Sequence, residues 1–345
     1  SMQLYNKLSA EERARIIDEY SQERFTLSFY KYFKLGNPNL FRDHLFITWS
    51  KLDILGRIYI ANEGVNAQLS VPKENLNEYK KTLKNIIPLN NIRLNFALEH
   101  YSKSFLKLTI KIRKKIVADG LDDKTFDVTN IGKHLDAENF NKMLDDKNTV
   151  CIDMRNHYES EIGFFKGAIK PNVDTFRESL KIIDNELEKN GYEKNYLMYC
   201  TGGIRCEKAS AYLKHKGLKN VYQLEGGIIE YIRQVKEKKL NNKFLGKNFV
   251  FDERLGERIT DDIVSNCHQC GQPCDTHVNC SNEACHLLFI QCEKCSQRMS
   301  NCCSYECKKI IDLSYEEQKK LRKRKHNSNK IFKKGRSDKL KYKLN

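Results

Sequence analysis

The stretch Met198-Tyr199-Cys200-Thr201-Gly202-Gly203-Ile204-Arg205-Cys206-Glu207-Lys208 concentrates the groups able to do chemistry in this chain. An apolar run from Asn195 to Tyr199 reads as a buried strand, and Glu207 to Lys216 reads as an amphipathic helix. Cys200 then falls in a tight strand-to-helix turn, where backbone N–H groups and the positive end of the helix dipole face its sulfur. Gly202 and Gly203 let the backbone fold back beneath the sulfur, because positive φ costs glycine nothing. Arg205 adds a fixed positive charge. Each feature favours the thiolate, which is the nucleophile. The competing reading, a buried structural cysteine, gives the Gly-Gly turn and Arg205 no purpose. Cys206 stands six positions after Cys200 at the helix start, where a Ser would suffice as a cap. If the two sulfurs meet, Cys206 can resolve a persulfide or sulfenic acid as a disulfide; otherwise it is a cap without a redox role.

The elements that must position this turn alternate strand and helix. Short apolar runs at 149–153, 195–199 and 221–224, separated by helical stretches, predict a parallel, doubly wound sheet. Such sheets carry their sites at the carboxyl ends of strands, where Cys200 lies. Asp153 and Arg155 end a neighbouring strand and either orient the loop or form a buried ion pair that only stabilises it. Asp136 is placed to cap a helix running to about Leu144. Further upstream, Ser9 with Glu12 predicts a capping box for a helix from Ala10 to Glu23. Phe25 to Phe33, Gly56 to Ala61, Val65 to Val71, Ile92 to Leu98 and Leu106 to Val117 read as strands. Asn37 to Asp53 and Lys73 to Ile87 read as helices, the second opened by Pro72. The order β-α-β-β-α-β is that of a ferredoxin-like (acylphosphatase-like) sandwich. Asn62-Glu63-Gly64 reads as a hairpin turn rather than a binding loop.

Cys-x-x-Gly-x-Arg between strand and helix resembles the active-site loop of the rhodanese family. Supporting motifs lie where that family has them: Asp153-Met154-Arg155 with Glu159, then Gly163, Gly167-Ala168-Ile169, and the closing Leu224-Glu225-Gly226-Gly227. Phe164 departs from the family, which often has His there. The resemblance implies sulfur chemistry on Cys200 within the loop Thr201, Gly202, Gly203 and Ile204. Protein phosphatase loops of similar design place five residues between Cys and Arg; the four here make a smaller cradle, which disfavours phosphatase activity.

From Cys267 the composition changes: ten cysteines fall between Cys267 and Cys307, with His268, His277 and His286 interleaved. Cys267-x2-Cys270 and Cys292-x2-Cys295 have the spacing of two tetrahedral-zinc knuckles, each giving two thiolates from a tight turn. The remaining cysteines suffice for a second site; the alternative is a reduced cysteine-rich segment without metal. Thirteen cysteines without an export signal argue against disulfides and for a cytoplasmic protein. No apolar run approaches the roughly 20 residues of a membrane span. The net charge of +16 is uneven: residues 315–345 hold 13 Lys/Arg against three Asp/Glu. Lys319, Lys320, Arg322, Lys323, Arg324 and Lys325 open this tail, which is expected to be disordered alone and to bind phosphate backbones by counterion release, or else to be merely solvated.

The expected plan is α/β multidomain: a ferredoxin-like domain over 1–120, a connector and entry helix over 121–145, and a rhodanese-like doubly wound sheet over 146–240. A Cys-rich segment over 241–313 and a basic disordered tail over 314–345 complete it. Ile-Ala-Asn-Glu-Gly-Val-Asn, Cys-Thr-Gly-Gly-Ile-Arg-Cys-Glu-Lys and Cys-His-Gln-Cys together resemble the rhodanese-like tRNA uridine hydroxylases over about residues 5–310. That resemblance implies oxygen-dependent formation of 5-hydroxyuridine at tRNA position 34, with Cys200 catalytic, molecular oxygen as co-substrate and tRNA as partner. No nucleotide, flavin or haem motif is visible. Two alternatives stay open: a sulfurtransferase that needs no RNA, and a non-enzymatic RNA-binding module with an idle Cys200.

Overall fold

A computed structural model describes residues 11–13, 15, 23–98, 100, 103–121, 126–325 and 335–342, and for Arg324 and Lys325 the backbone only. Residues 11–13 and 15 are helical; Ser9 and Ala10 of the expected capping box lie outside the described residues. The chain divides into two units: Ser1–Asn156 with Gly167–Lys243 and Phe251–Arg254, and His157–Lys166 with Phe244–Val250 and Leu255–Asn345.

The first unit begins with the expected β-α-β-β-α-β order: β1 (Arg24–Tyr32), α1 (Pro38–Ser50), β2 (Leu55–Ala61), β3 (Gly64–Pro72), α2 (Leu76–Asn85), β4 (Asn95–Phe96) and then β5 (Leu108–Ile112). The sheet order is β4-β1-β3-β2-β5; β1 and β3 run antiparallel, and β5 is added parallel to β2 at the edge. Asn37 starts α1 by accepting from the Leu40 N–H (3.1 Å), with Pro38 preset for the first turn. The sheet's inner face packs Phe29 and Ile58 against Trp49 of α1, whose ring meets Tyr79 of α2 edge-on at 5.3 Å. The strand expected over Ile92 to Leu98 shrinks to two paired residues, because β4 pairs only with Leu27 and Ser28.

In the same unit, β6 (Lys133–Leu135), α3 (Ala137–Leu144), β7 (Thr149–Asp153), α5 (Phe176–Asn190), β9 (Asn195–Tyr199), α6 (Ile204–His215), β10 (Val221–Leu224) and α7 (Gly227–Lys238) form the second domain. Its sheet runs β6-β10-β9-β7 with every pairing parallel. Asp136 caps α3 through the Asn139 N–H (2.9 Å). The connector reading of 121–145 needs correction: Lys133–Leu135 is the sheet's edge strand, too short to carry an alternating pattern of its own and defined by pairing with Tyr222–Leu224.

In the second unit, α4 (His157–Ser160) precedes β8 (Gly163–Phe165), which joins β11 (Phe244–Asn248) and β12 (Glu257–Arg258) in a small sheet. The hairpin of β13 (His277–Asn279) and β14 (Leu288–Ile290) and the helices α8 (Glu293–Met299) and α9 (Tyr305–Ile311) frame the cysteine region, with Cys295 in α8, Cys307 in α9 and the region's other cysteines in the loops around them. The expected disordered tail also needs correction. Tyr315–Lys325 is a helix, α10, started by a reciprocal capping box: Glu317 N–H donates to Ser314 Oγ (3.2 Å) and Ser314 N–H to Glu317 Oε2 (3.3 Å). Acidic Glu316 and Glu317 lie in its first turn and cations toward its end, as the helix dipole favours. Residues 335–342 return to the cysteine region, where Gly335 N–H donates to Leu288 O (2.6 Å) and Leu340 is buried among Cys280, Cys303 and Cys307.

Candidate active site and cysteine clusters

Cys200 leaves the carboxyl end of β9 into a loop closed by two helix starts. Its sulfur accepts the Gly203 N–H (3.1 Å), and the backbone N–H groups of Arg205 and Cys206 also point at it. Burial by itself pushes the thiol up. The Cys206 thiol donating to the sulfur, the Arg205 charge and the two amides outweigh it, leaving the Cys200 thiol lowered to about 6. Cys206 is driven the opposite way, first by burial and then by the neighbouring Cys200. The loop thus keeps one thiolate and one thiol in hydrogen-bond contact, which places Cys206 where a resolving cysteine would stand.

The glycines divide the work unequally. Gly203 caps α6 at φ +105°, a conformation that disfavours any side chain. Gly202 is not left-handed and has open space where a Cβ would stand, so the expected role for its φ is corrected. Gly227 carries a close approach: a Cβ there would lie 2.2 Å from the Thr201 carbonyl oxygen. That contact lets the first turn of α7 donate Ile228 N–H to Cys200 O (3.0 Å), fixing the loop from the far side. The closing Gly226-Gly227 turn is therefore part of the loop's support.

Asp153 and Arg155 are fully buried and bidentate: Nε to Oδ1 2.9 Å and Nη2 to Oδ2 2.6 Å. Tyr199, the residue before Cys200, donates to Asp153 Oδ2 at 2.8 Å. The pair anchors the strand end from which the loop springs, and its geometry favours support over direct contact with a substrate.

Sequence reasoning missed Glu63 and Lys208. Lys208, on α6 and almost wholly buried, places Nζ 2.9 Å from Glu63 Oε1, in the turn between β2 and β3, and 2.9 Å from Asp119 Oδ2. Glu63 also accepts the Ile116 N–H at 2.6 Å. Tyr30 donates to Glu207 Oε1 (3.2 Å), and Tyr32 to Ile204 O (3.2 Å). The first domain thus grips the helix that begins at the reactive loop. Only the adjacency of Glu207-Lys208 to the loop hinted at this.

In the second unit, Cys267, Cys270, Cys292 and Cys295 bring their sulfurs within 4.8 Å of one another, and so do Cys280, Cys285, Cys303 and Cys307. Sulfur pairs stand at 3.6 Å (Cys270–Cys292, Cys285–Cys303) and 3.8 Å (Cys303–Cys307). A tetrahedron with Zn–S bonds of about 2.3 Å has edges of about 3.8 Å, so both quartets fit a closed four-thiolate metal site. All thirteen cysteines are free of disulfides. Cys274 and Cys302 lie outside the quartets, and His268 is held by Glu161 (2.8 Å) and the Ile290 N–H (3.1 Å), away from ligand duty. Of the tail cations, Arg322 pairs with Glu283 and lies over the Tyr315 ring at 5.7 Å; Lys319, Lys320, Lys323, Arg324 and Lys325 share its helix, α10.

A loop thiolate at the carboxyl end of a parallel sheet, joined to a ferredoxin-like domain, defines a rhodanese-type protein. Family models agree: residues 24–116 match the UPF0176 acylphosphatase like domain, 136–234 the Rhodanese-like domain and 245–308 the Rhodanase C-terminal segment. The chain is 53% identical over 334 residues to the tRNA uridine(34) hydroxylase of Hamiltonella defensa subsp. Acyrthosiphon pisum, covering 96% of this chain and 94% of that protein. It is likewise 53% identical to those of Leptospira interrogans (96% and 90% covered) and Pectobacterium carotovorum (96% and 94%). The chain belongs to the tRNA uridine(34) hydroxylase family.

Proposed function

We propose that this protein is an oxidoreductase that hydroxylates uridine 34 of tRNA to 5-hydroxyuridine, with molecular oxygen as co-substrate and Cys200 as nucleophile. The observation that carries the reading is the Cys200 thiolate loop, in a chain whose relatives are named for hydroxylation and not for sulfur transfer.

Uracil is electrophilic at C6. Addition of the Cys200 thiolate there moves the ring electrons toward C5 as an enolate, the position that must meet oxygen. Oxygen meeting C5 gives a hydroperoxide; two thiol equivalents from an external thiol reductant, oxidised to a disulfide, then carry the outer oxygen away as water and leave the hydroxyl on C5. Loss of the C5 proton and departure of the thiolate from C6 restore the double bond and regenerate Cys200. The pieces of the loop serve these two moments. Arg205 and the amides of residues 203, 205 and 206 stabilise the sulfur anion before addition and as a leaving group. Cys206 is positioned to protect or resolve an oxidised Cys200 as a disulfide.

The quartets Cys267, Cys270, Cys292, Cys295 and Cys280, Cys285, Cys303, Cys307 fit zinc in a structural role, since four thiolates leave no open coordination position. Lys319, Lys320, Arg322, Lys323, Arg324 and Lys325 on α10 suit contact with the RNA backbone. Among the described residues no helix is long and apolar enough to cross a membrane, and we place the protein in the cytoplasm with its tRNA.

Nucleoside mass spectrometry on tRNA incubated with the protein and a thiol reductant, in air and under argon, tests the reading. One oxygen gained on uridine in air, absent under argon and absent with Cys200→Ala, is the expected result. No gain with wild-type protein in air overturns it.

A further inference from the structure

The edge of the first domain carries a polar group that the reactive loop does not use. Asn95, in β4, is 4% exposed, and its side-chain Oδ1 has no hydrogen-bond partner among the described residues. A buried acceptor left unpaired calls for a donor from outside the chain. Asn95 lines a cavity of about 520 Å³ whose wall also includes Gly202, Tyr30, Tyr32 and Arg93. β4 packs against α7, whose first turn donates Ile228 N–H to Cys200 O, so Asn95 and the reactive loop face one space. That volume lies within the range of roughly 300–1,000 Å³ typical of small-ligand sites.

The rest of the wall suits a nucleotide. Arg93 is 45% exposed and lies 3.7 Å from Glu225, longer than a hydrogen bond, so its guanidinium is available to a phosphate. Tyr30 and Tyr32 offer aromatic faces. The acid at the loop end, Glu207, is already held by Tyr30 (3.2 Å) and lies 3.1 Å from His134 Nε2. A second cavity of about 350 Å³ shares Asn91 and Ile92 and adds Lys80, Lys84 and Phe96, extending the track along the same domain.

We propose that Asn95 reads the target uridine and Arg93 holds a phosphate beside it, which makes the N-terminal domain the specificity element. The inference rests on the hydroxylase reading. Uracil presents an N3–H donor next to the O4 acceptor. An asparagine amide complements both: Oδ1 accepts from N3–H and Nδ2 donates to O4. Cytosine has a bare acceptor at N3 and an amino group at C4; it clashes with the amide in this orientation and fits only the flipped amide, so the preference for uracil depends on Oδ1 being held toward N3–H.

The test measures binding of anticodon stem–loop RNAs carrying U or C at the target position to the full-length protein, alongside aerobic turnover. Asn95→Ala is expected to bring the U-to-C affinity ratio near one and to lower kcat/KM on the U RNA by roughly tenfold or more. The pH profile of Cys200 alkylation should stay unchanged, a readout that a merely structural role would move. Arg93→Gln, at an exposed site, is expected to weaken both RNAs alike and reduce the salt slope by about one. An unchanged U-to-C ratio in Asn95→Ala, or a shifted alkylation profile, overturns the proposal. Should Asn95→Ala not fold, wild-type affinity and salt slope in Arg93→Gln overturn it. Product from wild type with no effect of Asn95→Ala sinks this inference alone. Lost U preference in Asn95→Ala, with no product from any protein, sinks the hydroxylase reading alone.

Discussion

Lys208 and Glu63 lie 145 residues apart in sequence and 2.9 Å apart at their charged atoms, in a site that Asp119 completes. The contact ties the hairpin turn of the ferredoxin-like domain to the helix that begins at Cys200. Removing one member of a buried pair leaves the other charge uncompensated, at a cost of about 3–5 kcal/mol. Lys208→Met should therefore lower Tm strongly, and Glu63→Gln should do so less, because the amide keeps an acceptor. The double variant should lose less than the two single losses together. Additive losses in thermal unfolding would show the two residues to act independently.

The loop's electrostatics make a signed prediction for pH. Only the thiolate attacks, and the Cys200 thiol is lowered to about 6, so alkylation by iodoacetamide and kcat/KM on tRNA should be near their plateau at pH 7 and fall as pH drops through about 6. Arg205→Gln removes a charge that favours the anion and Cys206→Ala removes a hydrogen-bond donor. Each should move the midpoint upward, toward an ordinary thiol. A midpoint that stays near 6 in both variants would locate the stabilisation in the backbone amides alone.

Features set by local rules were legible in the sequence. The strands at 149–153, 195–199 and 221–224 are short apolar runs bounded by breakers, and the structure has them at those limits. Asp136 caps its helix because a carboxylate three residues before an amide needs nothing else. Features set by long-range pairing were not legible. β6 exists only through β10, and Glu63 gains its partner only when two domains meet. The two knuckles are adjacent in pattern, whereas Cys280, Cys285, Cys303 and Cys307 interleave with unrelated cysteines, and spacing cannot assign them. Net charge hid the Ser314-x-x-Glu317 box that starts α10.

Neighbouring glycines in the loop should respond differently. Gly203→Ala forces a side chain into φ +105° and toward the Tyr30 hydroxyl, which should destabilise by about 1–3 kcal/mol and disturb the helix start below the sulfur. Gly227→Ala meets the Thr201 carbonyl and should be at least as harmful. Gly202→Ala meets open space; it should leave Tm and the Cys200 alkylation profile intact while raising KM for tRNA, since its methyl enters the cavity that faces the loop. Thermal unfolding and steady-state kinetics on the three variants check this, and equal losses of Tm would contradict the division of roles.

The two cysteine quartets predict metal content and its consequence. Protein purified without chelator should carry about two zinc ions per chain by elemental analysis. Cys270→Ser should lose one and Cys303→Ser the other, because each removes a thiolate from a different quartet. Each quartet ties separate segments, Cys267 to Cys295 and Cys280 to Cys307, and the second is packed into a small cluster with Leu287, Phe289 and Leu340. Binding free energy at such a site is folding free energy. Chelation at neutral pH should therefore unfold the cysteine region, seen as loss of amide-exchange protection across residues 265–311. The ferredoxin-like domain and the Cys200 loop, which belong to the other unit, should keep their protection. Retained protection over 265–311 after complete zinc removal would mean that thiol packing alone holds the segment together.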